Sequence, residues 1–224
     1  MTIEVNITGE NDYFYQALED RLIRAGILIV EKPKLSTIKI GIDTDNDVDI
    51  LIVPGLSRNT NSRLVISIYD LLIPEGKNKW SSDILFEWLE HIKKDNDKTL
   101  NVDAIHYWVH IRDAIEAILV LLLSEEFSNI KGKLNITGRR AWSNYSVFEE
   151  LEMLLLRYTN SVNYSHSLES LSKIPNPVKK NEKNIKERPD LDLLNKELLR
   201  AGGDGWHPLT PLRTGLMELL AQNL

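Results

Sequence analysis

VNITGENDYFYQALEDRLIRAGILIV, residues 5–30, reads as strand, turn, helix and second strand. Ile3–Thr8 is a short apolar, β-branched run, and Asn11 to Ala25 carries helical spacing, with Phe14, Leu18, Leu22 and Ala25 on one face. Gly26 stands where a helix ends in a left-handed residue. The turn between strand and helix opens like one that cradles phosphate. Gly9 supplies the tight bend, but Asp12 and Tyr15 occupy the positions where such a turn needs two further glycines. The second glycine admits a diphosphate to the backbone, and the third lets helix pack on strand. Asp12 instead presents a negative charge at a helix N-terminus that favours an anion, so it is expected to stabilise the helix start.

Three further strands follow at 27–30, 36–42 and 48–55, and β-branched runs alternating with a helix and short turns indicate a parallel sheet of βαβ type. Leu56–Ser62 is all turn chemistry, and Arg63–Ile73 is strand-like again. Parallel neighbours normally need a crossover of about a dozen residues or more. The span from Pro54 to Ser62 is shorter, so either the crossover lacks a helix and one sheet face is bare, or the two strands are antiparallel. Helices are expected from Ser81 to Lys94, from Arg112 to Ser124, over SNYSVFEELEMLLLRY, over DLLNKELLR and over LRTGLMELLAQ, with a strand at 133–138. The expected fold is α/β: a Rossmann-like, doubly wound, mostly parallel sheet, shortened, with a small C-terminal α+β cap. Residues 1–73 and 107–137 form the Rossmann-like part, and residues 74–106 and 138–224 the cap.

The 224 residues, 42% hydrophobic and 27% charged, suit a globular chain with a sizeable core. No cysteine is present, which excludes disulfides, thiolate chemistry and cysteine-bound zinc. A net charge of −6 argues against nucleic acid or anionic lipid as partner. The apolar run Ala117–Leu123 is too short to span a bilayer, and the N-terminus shows no signal-peptide pattern, so a cytoplasmic location is expected. His106 and His110 have an i, i+4 spacing, but in an extended context with no third ligand near, so no metal is expected. SKIPNPVKKNEKNIKERPD reads as a solvated loop.

Four separated stretches resemble, in order, the extended short-chain dehydrogenase/reductases, the NAD-dependent epimerase/dehydratase family acting mainly on nucleotide sugars. ITGENDYFYQALEDRLIRAG resembles its T-G-x-x-G-x-x-G turn and first helix, and YWVHIRDAIEAI its aromatic-V-H-V-x-D segment. KLNITGRRAWSNYSVFEEL is similar to its N-I-G-x-x-x-x-S step, and ERPDLDLLNKELLRAGGDGWHPLTPLRTGL to its R-P-x-D…L-G-W-x-P-x-T-P-L ending. SIYDLLIPEG resembles the family's N-x-Y-G-P-like turn.

The departures matter as much. Between a strand like VDILIVPG and that turn, the resemblance calls for a helix, a strand with a catalytic Ser or Thr, and a helix with Tyr-x-x-x-Lys. The chain passes almost directly from Gly55 to the last strand, and none of its seven tyrosines has a lysine four residues later. In the family that tyrosine transfers the proton, and the lysine lowers its pKa and holds the nicotinamide ribose, so no catalytic residue is assigned and loss of redox catalysis is expected. The resemblance puts Gly9, Glu31 and Asp43 at a vestigial dinucleotide site: Glu31 where an acid holds the adenosine ribose, Asp43 near adenine. It puts Arg188 where an arginine grips a sugar-nucleotide diphosphate and His106 where a nucleotide-contacting arginine often stands, with Tyr69 as a further substrate contact.

The expectation is therefore a degenerate member serving as a nucleotide-sugar-related binding or regulatory subunit, with no cofactor. It would pair with a protein partner, or self-associate atypically, through an uncovered sheet face. The alternative is a small active NAD(P)-dependent nucleotide-sugar enzyme that recruits Tyr69, Tyr107 or His106 as acid/base.

Overall fold

In the computed structural model, residues 3–35, 37–44, 46–55, 62–75, 80, 83–94, 104–163 and 187–224 are described. The chain opens with β1 (Glu4–Gly9), α1 (Tyr13–Arg24) and β2 (Leu28–Ile29), so the opening stretch folds as its periodicity demands. β3 (Ile38–Ile42), β4 (Ile50–Pro54), β5 (Leu64–Ile68) and the short β6 (Leu71–Leu72) follow. Then come α2 (Asp83–Lys93), β7 (Ile105–His106), β8 (Val109–His110), α3 (Ile111–Leu123) and β9 (Gly132–Ile136). The chain ends with β10 (Trp142–Ser143), α4 (Asn144–Val162), α5 (Asp192–Arg200) and α6 (Leu212–Asn223). Most of the expected solvated loop and the basic run Lys179–Lys186 lie outside the described residues.

Six strands form one parallel sheet in the order β2-β1-β3-β4-β5-β9. The chain thus has the mostly parallel α/β sheet of Rossmann type. The order reverses between β2 and β3 around β1, and at such a switch point open α/β sheets bind ligands beyond the carboxyl ends of their strands.

β4 and β5 are parallel, with Ile50 opposite Leu64 and Pro54 opposite Ile68, which resolves the choice left open by the short connection. Short strands make this possible. A five-residue strand rises about 16 Å, whereas the nine residues at 55–63 reach roughly 30 Å when extended. Nine residues are therefore long enough to make the return. The same holds for the seven residues at 43–49, which join β3 to its parallel neighbour β4.

Alternation divides the strands between two faces. Val5, Ile7, Ile40, Ile42, Ile50, Ile52, Leu64, Ile66, Leu134 and Ile136 join α1, α3 and α5 in the main core. On the other face, Leu51, Val53 and Val65 cluster with Val48 from the β3–β4 return, all of them buried. That return lies against the sheet at Gly41, where an added Cβ would meet Thr44 and Val48. The bare apolar face expected from the missing helices is thus corrected at these positions: the return covers part of it with its own valine. A second apolar cluster gathers Leu85, Phe86, Trp88 and Leu89 of α2, Val147, Leu151 and Leu154 of α4, and Leu216, Leu219 and Leu220 of α6. Among the described residues no helix is long and apolar enough to cross a membrane.

Candidate functional site in the crevice beyond the strand ends

The first turn is shaped by Asp12 acting as the N-cap of α1. Its Oδ1 accepts the backbone N–H of Tyr15 at 2.9 Å, as its position in the sequence implies. Its Oδ2 accepts the indole N–H of Trp80, also at 2.9 Å. Trp80 is 1% exposed, with its ring 4.5 Å from that of Phe14. An indole from a distant segment therefore lies on the carboxylate at the helix N-terminus. Gly9 has φ +141°, and a Cβ there would come within 2.5 Å of the Ile42 carbonyl oxygen. Its missing side chain serves the close approach of β1 to β3.

Asp43, at φ +46°, follows β3 beside Gly9 and donates its backbone N–H to the Ile52 carbonyl at 2.8 Å. Glu31 follows the strand on the other side of β1, and its carbonyl accepts from the Asn6 amide at 3.3 Å. Its side chain is exposed. Gly9, Glu31 and Asp43 thus share the carboxyl edge of three adjacent strands.

A second group stands at the end of β5, three strand spacings from β1 or roughly 14 Å across the sheet. Asp70 is buried, adopts the left-handed φ of +47°, and places Oδ1 2.8 Å from His106 Nδ1. Its Oδ2 accepts the Tyr107 backbone N–H at 2.7 Å. The His106 ring stacks on Trp108 at 5.1 Å. With Nδ1 donating to the carboxylate, Nε2 is left as an acceptor. Tyr69 packs its ring against Gly55, and Tyr107 is buried. Among the acid/base candidates, His106 has the Asp70 carboxylate beside its ring nitrogen.

Arg188 is exposed beyond the end of β9 and donates to the Arg139 carbonyl at 3.4 Å. His110 is buried and structural: its Nδ1 accepts the Arg112 backbone N–H at 3.2 Å and caps α3. Burial lowers its pKa, against the opposing charge of Glu218, whose Oε2 lies 3.3 Å from Nε2. His110 also lines a groove of about 710 Å³ between α1, α3 and α6, together with Tyr13, Glu75, Arg112 and Glu218. The Tyr13 hydroxyl is pushed up to about 12 by burial first, then by its hydrogen bond to Glu75 and the charges of Glu75 and Glu218. Among the described residues no three His, Asp or Glu side chains converge as a metal site.

Sequence reasoning missed both Asp70 and the contact that Trp80 makes. Asp70 had a signal, because it occupies the glycine position of the N-x-Y-G-P-like turn, where φ is positive. Trp80 had none, since its partner lies 68 residues away.

No family model and no curated protein matches the sequence. Solved structures match it over nearly its whole length. One is a UDP-glucose 4-epimerase from Thermotoga maritima with UDP-glucose, at TM-score 0.58 and 11% identity, covering 99% of this chain and 98% of that one. Another is RMD from Pseudomonas aeruginosa complexed with NADPH, at TM-score 0.61 and 10% identity, covering 99% and 97%. A third is the Thermus thermophilus UDP-glucose 4-epimerase complexed with NAD, at TM-score 0.55 and 12% identity, covering 98% of each chain.

These likenesses correct the expectation of no cofactor. Solved structures of this fold are complexed with NADPH and with NAD. The first turn does not fit a diphosphate on the α1 N-terminus, because the Asp12 carboxylate takes the Tyr15 N–H there and is itself held by the Trp80 indole. The chain thus shares the fold of these UDP-glucose 4-epimerases and of RMD.

Proposed function

We propose that this chain is a nucleotide-sugar-related binding or regulatory protein on the epimerase/dehydratase fold, without that fold's Tyr–Lys redox chemistry. The observation that carries the reading is the nine-residue connection at 55–63 between two parallel strands in register. It has no room for the helices and strand that would bring Ser or Thr, Tyr and Lys to the crevice. Arg188 supports a sugar-nucleotide ligand: its guanidinium is exposed at the carboxyl edge of the sheet and suits paired phosphate oxygens. A regulatory role further entails a protein partner or self-association.

The test is thermal stability with UDP- and dTDP-sugars. Stabilisation that disappears in Arg188→Ala is the expected result. Interconversion of any of these sugars by the wild-type protein would overturn the non-catalytic half of the reading.

Asp70 and His106 favour a second reading, an active nucleotide-sugar enzyme in which His106 Nε2 takes up a substrate hydroxyl proton while Asp70 holds the ring. It requires turnover that His106→Gln abolishes while the variant stays folded.

A further inference from the structure

The Asp12–Trp80 contact joins two properties that would each oppose a diphosphate. The carboxylate places a negative charge at the end of α1 that otherwise favours an anion. The indole covers that carboxylate, donating to it at 2.9 Å, and is held by the Phe14 ring at 4.5 Å. The ring is 1% exposed, so it holds the carboxylate from the buried side of the turn, at the N–H groups an anion would need.

We propose that Asp12 and Trp80 form an internal latch across the first turn, so that a dinucleotide lying over α1 and the Asp12–Trp80 hydrogen bond exclude one another. NAD(P) enters this position only when Trp80 leaves it, and Asp12 then opposes the diphosphate by charge. Because Trp80 stands three residues ahead of α2, which packs in the second apolar cluster with α4 and α6, opening the latch acts on the element leading to that cluster.

The test uses the full chain and two variants. Asp12→Asn keeps an N-cap acceptor and removes the charge. Trp80→Phe keeps a ring against Phe14 and removes the indole donor. NAD+ and NADPH affinities are measured by calorimetry, and the Trp80 indole N–H resonance, assigned by its loss in Trp80→Phe, is followed during titration of the wild type. Each variant is expected to bind at least about tenfold more tightly than wild type. Saturating the wild type should shift the Trp80 resonance. Equal affinities in all three proteins, wild-type binding that leaves that resonance in place, or no binding by any of the three at millimolar ligand would each overturn the latch. Arg188→Ala and the sugar nucleotides play no part in these measurements, so the proposed function stands or falls separately.

Discussion

Asp70 Oδ1 and His106 Nδ1 meet at 2.8 Å across 36 residues of chain. The contact joins the turn after β5, the neighbour of edge strand β9, to β7, and the second carboxylate oxygen takes the Tyr107 N–H at 2.7 Å. Asp70 makes both bonds from a left-handed backbone conformation that costs a non-glycine residue energy. Its carboxylate must therefore more than offset that cost.

Asp70→Asn tolerates the same backbone but loses the charge, and should lower unfolding free energy by about 1.5–3 kcal/mol, the range for hydrogen bonds to charged groups. Asp70→Gly relieves the backbone yet leaves the Tyr107 N–H without this acceptor, so it too should destabilise. Urea unfolding checks both. A glycine variant as stable as wild type would show that the carboxylate contributes nothing net.

His110 predicts an acid-sensitive α3. Its Nδ1 must be unprotonated to accept from Arg112, and burial holds its folded pKa below the ordinary value of about 6.5. Between those two values the unfolded chain binds more protons, so this contribution is complete above the unfolded pKa and is lost as pH falls through the folded one. Glu218 opposes the shift, as does Asp113, while Arg112 reinforces it. His110→Asn keeps a cap acceptor that does not titrate. Wild type should therefore lose more Tm than this variant between pH 7.5 and 5, as thermal melts would show.

Tyr13 works at the other end of the scale. Its folded pKa of about 12 exceeds the ordinary tyrosine value of 10.0, so the folded chain holds the proton longer. The associated stability is present below the unfolded value and is lost as pH rises through the folded one. Ultraviolet titration should show a tyrosinate step near 12 that is missing in Tyr13→Phe, and the variant should lose less stability over that window. Glu75 and Glu218 are the facing acids, and Glu75→Gln should bring the step down.

Gly138→Ala probes the seam where β9 runs into the turn before β10. Its N–H donates to the Tyr107 carbonyl at 2.8 Å, and an added Cβ would strike the Trp108 carbonyl oxygen well inside contact distance. Backbone cannot swing aside as a side chain can. Overpacking of this kind costs about 1–3 kcal/mol or more, and because Trp108 stacks on His106 the imidazole resonances should shift with it. Unchanged stability by urea unfolding would contradict the packing at this seam.

Much of the fold was legible in short windows of sequence. Phe14, Leu18 and Leu22 declared the buried stripe of α1, Asp12 its cap and Gly26 its end, because each signal spans only a turn or two of helix. The absence of a Tyr-x-x-x-Lys pair is likewise a fact of the sequence alone, which no folding can reverse. The tertiary structure decided what depends on distant segments meeting. It made β4 and β5 parallel, laid Val48 over Leu51 and Val53, brought Trp80 onto Asp12, and set Asp70 against His106. The physical reason is that caps and periodicity are written between neighbours, whereas these contacts follow from how short strands let short returns close and from which faces then come together.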